Sequence, residues 1–346
     1  MSCAPTATQA SSGQAVATVA VTGAGGFLGG HVCRALLERG CRVRAVTHAG
    51  GDDAPADEVV AWVEEHSAEV RDRDSVEAAL RGIDTVVHTA AAVRVDRDRE
   101  GEAYAVNLGG TRNVVAACIA GGVRKLVHVS SIHAFGPLRD TSLNAYSPLA
   151  SSTRVPYGAT KALAHAAVLE AARDGLLDAS LVCPSGLLGP GDRRPTPVGG
   201  MLLGIAGGRL PCLVKGGYWW CDVRDVAAAI ARAVECGEAG AVYFTTGRYA
   251  SVRELADLCS HALDRDVRRP VLPRALAVAA LPFIKAYAAL GRRPPLYSRN
   301  ALDLLHDCPT AVDDVSARRQ LAYAPRPLTN TIADALAWFR TRGMLA

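Results

Sequence analysis

The chain has 346 residues, 49% of them hydrophobic and 21% charged, with a formal charge of +4. That composition excludes the disordered class, and arginines scattered among carboxylates, without basic runs, leave no footprint for nucleic acid. The ten cysteines lie far apart, with no C-x-x-C and no Cys/His cluster at ligand spacing, so they point to neither a zinc site nor a disulfide framework and fit a reducing cytoplasm.

Residues 1–15 are small and polar, without a basic n-region or a long apolar run, and read as a disordered tail instead of a signal peptide. Next, "ATVAVTG" (17–23) predicts a strand ending in glycine, "FLGGHVCRALLERG" (27–40) a helix with a terminal Gly, and "CRVRAVT" (41–47) a second strand: one βαβ unit. A short strand is predicted near Ser67 to Val70, then a helix over 74–82, the strand "DTVVHTAA" (84–91), a helix around "VNLGGTRNVVAACIAGG" and the strand "KLVHVSS" (125–131). A helix from Pro156, a strand over 179–185 and a Gly/Pro-rich loop over 186–200 follow, with helices near 222–236, 251–263, 272–290 and 329–341. The 274–290 stretch is interrupted by Pro282 and Lys285, falls short of a membrane span, and reads as an amphipathic helix or lid. Strands alternating with helices predict an α/β fold, a doubly wound parallel sheet of the Rossmann kind with a smaller C-terminal substrate-binding lobe. The dinucleotide-binding domain is read as 16–185 and the lobe as most of 186–346, with segments around 215–245 returning to the core.

"VTGAGGFLGG" places Gly23, Gly26 and Gly29 three apart between strand and helix, with Phe27 and Leu28 opening the helix. Leu28 stands where the G-x-G-x-x-G fingerprint has its third glycine. The physical logic survives: a tight turn, close backbone approach to a pyrophosphate, and N–H donors at a helix N-terminus. Discrimination between NAD and NADP falls at the end of the second strand, where a carboxylate would hold the ribose 2′-OH. Thr47 occupies that place, followed by His48 and preceded by Arg44, so NADP(H) is favoured over NAD(H). Asp52 and Asp53 are the carboxylates that could curl back to the ribose, and Glu69 and Val70 are placed to border the adenine.

Together "TGAGGFLG", "DTVVHTAA", "NLGGTRNV", "VSSIHAFG", "YGATK", "CPSGLLGPGD" and "DVRDVA", in order and from about residue 17 onward, resemble the extended short-chain dehydrogenase/reductase family, and within it the dihydroflavonol-reductase-like group. The resemblance implies an NAD(P)-dependent oxidoreductase in which Tyr157 exchanges a proton with a substrate oxygen. Lys161, one helical turn on, would lower the phenol's pKa and bind the nicotinamide ribose. Ser131 would hydrogen-bond the carbonyl, in preference to Ser130, whose side chain strand alternation sends to the other face. Asn107 would hold a water in a proton relay to Lys161, against the alternative of a buried Asn that satisfies local backbone. Further cofactor contacts are implied at Thr89, Ala90 and Ala91, and at Pro184, Ser185, Gly186 and Leu187. His88, His128 and His133 sit on separate elements and read as structural, without a metal.

His133, Phe135, Met201, Tyr218 and Trp220, with 185–188, are expected to border the substrate, and so apolar a lining suits a hydrophobic ketone. Sugar-nucleotide relatives usually carry Arg before the Pro of the sixth-strand motif; here it is Cys183, although Arg193, Arg194, Arg209 and Lys215 follow. The leading expectation is a carbonyl reductase or alcohol dehydrogenase. The alternatives are a sugar-nucleotide epimerase or dehydratase with tightly held NAD, and a 3β-hydroxysteroid-dehydrogenase-like enzyme. A homodimer is implied by resemblance only.

Overall fold

Seven short runs, most of them with side chains buried on both faces, lie side by side as parallel strands. The computed structural model describes residues 17–48, 63–93, 101–136, 141–151, 156–290 and 298–345. The expected tail at 1–15, and Asp52 and Asp53, lie outside the described residues. Strands β1 (Thr18–Thr22), β2 (Arg42–Thr47), β3 (Val63–Ser67), β4 (Thr85–His88), β5 (Lys125–Val129), β7 (Ala179–Pro184) and β11 (Val242–Thr245) form one sheet, ordered β11-β7-β5-β4-β1-β2-β3. The two-residue β6 (Ser142–Leu143) lies outside it. Registers such as Thr22 with Val46 and His88, and His88 with His128, bring the carboxyl ends of the central strands to one edge, where ligands of open α/β sheets bind.

Helices cover both faces: α1 (Phe27–Leu37), α2 (Arg73–Ala79), α3 (Thr111–Ala120, entered through a π-helical turn at Tyr104–Gly110), α4 (Pro156–Arg173) and α6 (Val223–Cys236). Two hydrophobic cores result. One joins α1 and α6 to a face of the sheet through Val19, Val32, Leu36 and Ile230. The other runs from the opposite face into the second half of the chain through Leu126, Leu181, Leu202 and Phe339.

The strand expected at Ser67–Val70 lies instead at Val63–Ser67. It pairs only with β2, so half its residues face solvent and its Glu64, Glu65 and His66 carry no apolar signal; Ala68 and Val70 are buried because the chain turns inward there. The stretch expected as a loop over 186–200 begins with β8 (Gly186–Leu188) and ends in α5 (Pro197–Ala206), capped by Thr196. β8 pairs with β10 (Gly217–Asp222), which pairs with β12 (Arg248–Ser251), in a small sheet at the rim of the site. Next to it stand β9 (Leu213–Val214), β13 (Val271–Leu272), α7 (Val252–Leu263), α8 (Arg274–Leu290) and α9 (Arg299–His306). The chain closes with β14 (Ala311–Val312), α10 (Val315–Gln320) and α11 (Leu328–Thr341). Among the described residues no helix is long and apolar enough to cross a membrane, and no disulfide joins the described cysteines.

One buried carboxylate ties these parts together. Asp222, with no exposed side-chain surface, caps α6 through Arg224 N at 2.9 Å and receives Arg224 Nε and Nη2 at 2.9 and 2.7 Å. Arg224 also reaches Asp334 of α11 at 2.7 Å, and Arg326 stands 3.5 Å from Asp222 while bound to Asp225. Burial pushes the Asp222 carboxyl up, but its bonds from Arg224 outweigh that and hold it below the usual range. Removing Asp222 takes away the cap of α6 and leaves Arg224 with Asp334 alone, so Asp222→Ala is expected to cost about 2 kcal/mol, read as a lowered urea midpoint, with Asp222→Asn closer to native.

Candidate active site

The turn after β1 is built for close approach. Gly23 has φ +72°, its N–H donates to Val46 O at 2.9 Å, and a Cβ there would lie 2.8 Å from the Ala90 backbone. A Cβ on Gly29 would stand 2.1 Å from Gly23 O, so the first turn of α1 meets the loop only because that position is glycine. No side chain caps α1, and its first turn, Phe27, Leu28 and Gly29, holds no carboxylate. The cradle therefore fits a dinucleotide pyrophosphate, with N–H groups and positive potential facing it. Thr89 Oγ1 donates to Thr22 O at 2.7 Å and sets Ala90 and Ala91 beside the turn.

At the ends of β2 and β3, beside Thr47, His48 Nε2 lies 2.8 Å from Glu69 Oε2, and Arg71 Nη2 donates to the same oxygen at 2.6 Å. The bond from Arg71 is the main reason the Glu69 carboxyl is held down to about 2. Val70 is buried against Gly110, where a Cβ would come within 2.9 Å of it. Arg44 does not serve this corner: its guanidinium binds Glu64 and the carbonyls of Ala79 and Arg81, because three residues upstream of the strand end it faces the C-terminus of α2. The basic side chains beside Glu69 are His48 and Arg71, and the latter was not singled out from sequence.

Tyr157 and Lys161 stand one turn apart on α4, beside the end of β5. Ser131 Oγ accepts from His133 N at 3.1 Å and stands close enough to Tyr157 to pull the phenol's pKa down. Ser130 points the other way, to His165 Nδ1 at 2.9 Å. Lys161 is 3% exposed, and its ammonium donates to Val129 O at 2.6 Å. Burial lowers it to about 8. Burial also raises Tyr157 to about 12, against the pull of Ser131, so the phenol stands above its ordinary value and not below it. The lysine's expected depression of the phenol is not displayed: desolvation of the phenolate is the larger influence, and Ser131 offsets it only in part.

Asn107, in the π-helical turn, is 1% exposed. Its Oδ1 accepts from Ala92 N at 2.7 Å, and its Nδ2 donates to Ala92 O at 3.1 Å and Thr160 Oγ1 at 2.9 Å. Both amide protons are thus committed to fastening the loop after β4 onto α4; a relay water would have only the second lone pair of Oδ1. Beneath lies an imidazole cluster that sequence spacing did not reveal. His88 bridges Thr22 (2.6 Å) and Thr111 (3.0 Å), and the His88 and His128 rings lie 5.3 Å apart. Neither His128 nitrogen has a partner among the described residues. Burial lowers His88 to about 3, His165 to about 4 and His128 well below the usual value, so all three are neutral. Among the described residues no group of His, Cys, Asp or Glu is arranged to hold a metal.

On the substrate side, Pro184 and Ser185 lead into Gly186 and Leu187 of β8. A Cβ on Gly186 would come within 2.9 Å of the Trp220 ring and 3.0 Å of Tyr218, so this glycine lets both rings pack over the strand. His133 Nε2 lies 2.6 Å from Tyr218 Oη, and the His133 ring meets Tyr157 edge-on at 6.1 Å. These three side chains share one space. Phe135 does not border it: 4% exposed, it packs on His165 and Phe244 at 5.1 and 5.3 Å, because strand-like backbone after the Ile132–Ala134 turn sends it into the core. Trp220, 2% exposed with its N–H on Ala250 O, is likewise core and shapes the site only through Tyr218. Met201 is half-buried on α5 against the same core.

Comparison with known proteins agrees with this geometry. Residues 19–244 match the NAD dependent epimerase/dehydratase family. The chain is 36% identical over 337 residues to sterol demethylase protein B of Methylococcus capsulatus, covering 95% of this chain and 100% of that one. It is 29% identical over 340 residues to a putative dihydroflavonol 4-reductase of Synechocystis, covering 93% and 94%. The crystal structure of gox2253 superposes with a TM-score of 0.80 at 30% identity, covering 95% of this chain and 99% of that one. A match over well more than half the chain, carried by the glycine cradle and the strand-edge site, makes this protein a member of the NAD dependent epimerase/dehydratase family of nicotinamide-dependent enzymes.

Proposed function

We propose that the chain is an NAD(P)H-dependent carbonyl reductase or alcohol dehydrogenase that interconverts a ketone and a secondary alcohol on an apolar, fused-ring substrate. The observation that carries this reading is the grouping of Ser131, Tyr157 and Lys161 at the end of β5, beside the uncharged His133 and Tyr218. The whole-length similarity to sterol demethylase protein B supports a polycyclic substrate. Cys183, fully buried before Pro184, offers no charge to a nucleoside diphosphate, which argues against a sugar-nucleotide epimerase or dehydratase.

The glycine cradle, Thr89 and the 184–187 segment would hold the dinucleotide, which supplies a hydride donor or acceptor at the strand edge. Ser131 orients the substrate oxygen, Tyr157 gives or takes its proton, and Lys161, anchored by Val129 O, would bind the nicotinamide ribose and furnish the positive charge that favours phenolate in the oxidising direction. A phenol held near 12 is fully protonated at neutral pH, as a proton donor in reduction must be. Asn107 would position α4 and a relay water. NADP(H) is the preferred cofactor in this reading, since His48 and Arg71 already surround Glu69 and could turn to a 2′-phosphate. The reading places the enzyme in the cytoplasm as a homodimer.

The first test is to release any copurifying nucleotide and titrate the emptied protein with NADPH and NADH. An exchangeable cofactor followed by reduction of 1-tetralone supports the reductase; NAD retained through purification with no net reduction would overturn it in favour of an epimerase or dehydratase. Tyr157→Phe is expected to lower kcat/KM by about 10²–10⁴-fold while NADPH still binds, the loss typical of a missing general acid. For the pH profile, Lys161 is charged below its value of about 8, so kcat/KM for reduction should be level below that pH and fall above it. Lys161→Met should remove this inflection along with most of the activity.

A further inference from the structure

We propose that Tyr218 and His133 form a second polar station in the substrate space, beside Tyr157, which holds an uncharged oxygen, hydroxyl or carbonyl, carried one or two bonds from the reacting carbon. The proposal rests on the oxidoreductase reading above and names a feature of its substrate.

Both groups reach this space by dedicated architecture. His133 follows Ser131 in the 3₁₀ turn after β5, and its backbone N–H is held by Ser131 Oγ, so any shift of His133 is felt at the catalytic serine. Tyr218 arrives from β10 and clears β8 only because residue 186 is glycine. The His133 ring then lies between two phenols, stacked on Tyr218 at 5.5 Å and edge-on to Tyr157 at 6.1 Å. A substrate oxygen on Tyr157 would therefore have its neighbouring substituent on the side of the His133–Tyr218 pair.

The adjacent Trp220 shows what a purely structural polar group does here: it is 2% exposed and spends its only N–H on Ala250 O. Tyr218, 6% exposed, instead pairs its hydroxyl with another side chain, His133 Nε2 at 2.6 Å, and His133 is half-buried beside Tyr157. A hydroxyl has one proton and two lone pairs, so that single bond leaves it capacity for a ligand. The imidazole decides which. Protonated on Nε2, it donates to Tyr218 Oη, and the phenol proton is left to meet a substrate carbonyl. Protonated on Nδ1, it accepts the phenol proton, and the phenol oxygen is left to accept from a substrate hydroxyl. The pair can thus serve either oxidation state of a substituent without gaining charge. Burial lowers His133 to about 4 and raises Tyr218, which keeps both neutral and makes the station a poor partner for phosphate.

The test compares 1-tetralone with 2-hydroxy-1-tetralone, using NADPH and the full chain. The native enzyme is expected to favour the hydroxyketone by about tenfold in kcat/KM, chiefly through KM, the discrimination expected when a buried hydrogen-bonding group loses its partner. In Tyr218→Phe the ratio should collapse toward one, whatever happens to the absolute rates; a general packing defect would lower both substrates together and keep the ratio. His133→Gln, which cannot exchange tautomers, should reduce the ratio as well, and serves as the second variant if Tyr218→Phe does not fold. A native ratio near one, or a ratio that survives in a folded variant, overturns the station and leaves the reductase standing. Reduction of neither ketone by NADPH-bound native enzyme overturns both.

Discussion

A buried ammonium without a carboxylate is the constraint around which the site is arranged. Lys161 is almost fully enclosed and rests on a backbone carbonyl, so its charge is expensive and nothing nearby neutralises it. The surroundings comply with that cost. Three imidazoles beneath it stay uncharged, and the buried carboxylates among the described residues, Asp192 and Asp222, are bound by Thr196 and Arg224 instead. An unpaired cation is poised to act on whatever negative charge develops near it, and in the proposed reaction that charge develops on the phenol of Tyr157, one turn away.

Precision at that point comes from groups that take no part in the chemistry. Asn107 locks the loop after β4 to Thr160, the neighbour of Lys161, and Gly29 allows α1 to sit against Gly23 O. The Asp222 cluster binds the start of α6 to α11, fixing β10 and so Tyr218. A site assembled from the ends of several strands depends on such fastenings, because each functional residue is positioned by a different element.

The two ends of the site differ in electrostatic character. The corner at the ends of β2 and β3 is polar and partly open, with the Glu69 carboxylate between His48 and Arg71. The end formed by His133 and Tyr218 is neutral and aromatic. Charged recognition of the nucleotide and neutral recognition of the substrate can therefore operate side by side with little mutual disturbance.

By itself the amino-acid sequence determined the alternating strands and helices, the glycine turn and the Tyr157–Lys161 interval, because each is written in local spacing: period-two apolar runs, glycines where a Cβ clashes, and a four-residue helical interval; Ser131 was implied by the family resemblance. Residues whose meaning depends on distant partners were not legible. Arg44 and Arg71 look alike in sequence, yet one is spent on the end of α2 and the other on Glu69. Phe135 and Trp220 carry the same aromatic signal as Tyr218, and only packing separates the two core rings from the one that meets His133, 85 residues away. The edge strand at Val63–Ser67 was displaced because exposed residues there carry no apolar signal. Tertiary structure alone decided which polar groups are spent and which face the site, since hydrogen bonding and desolvation are set by neighbours in space and not by neighbours in the chain.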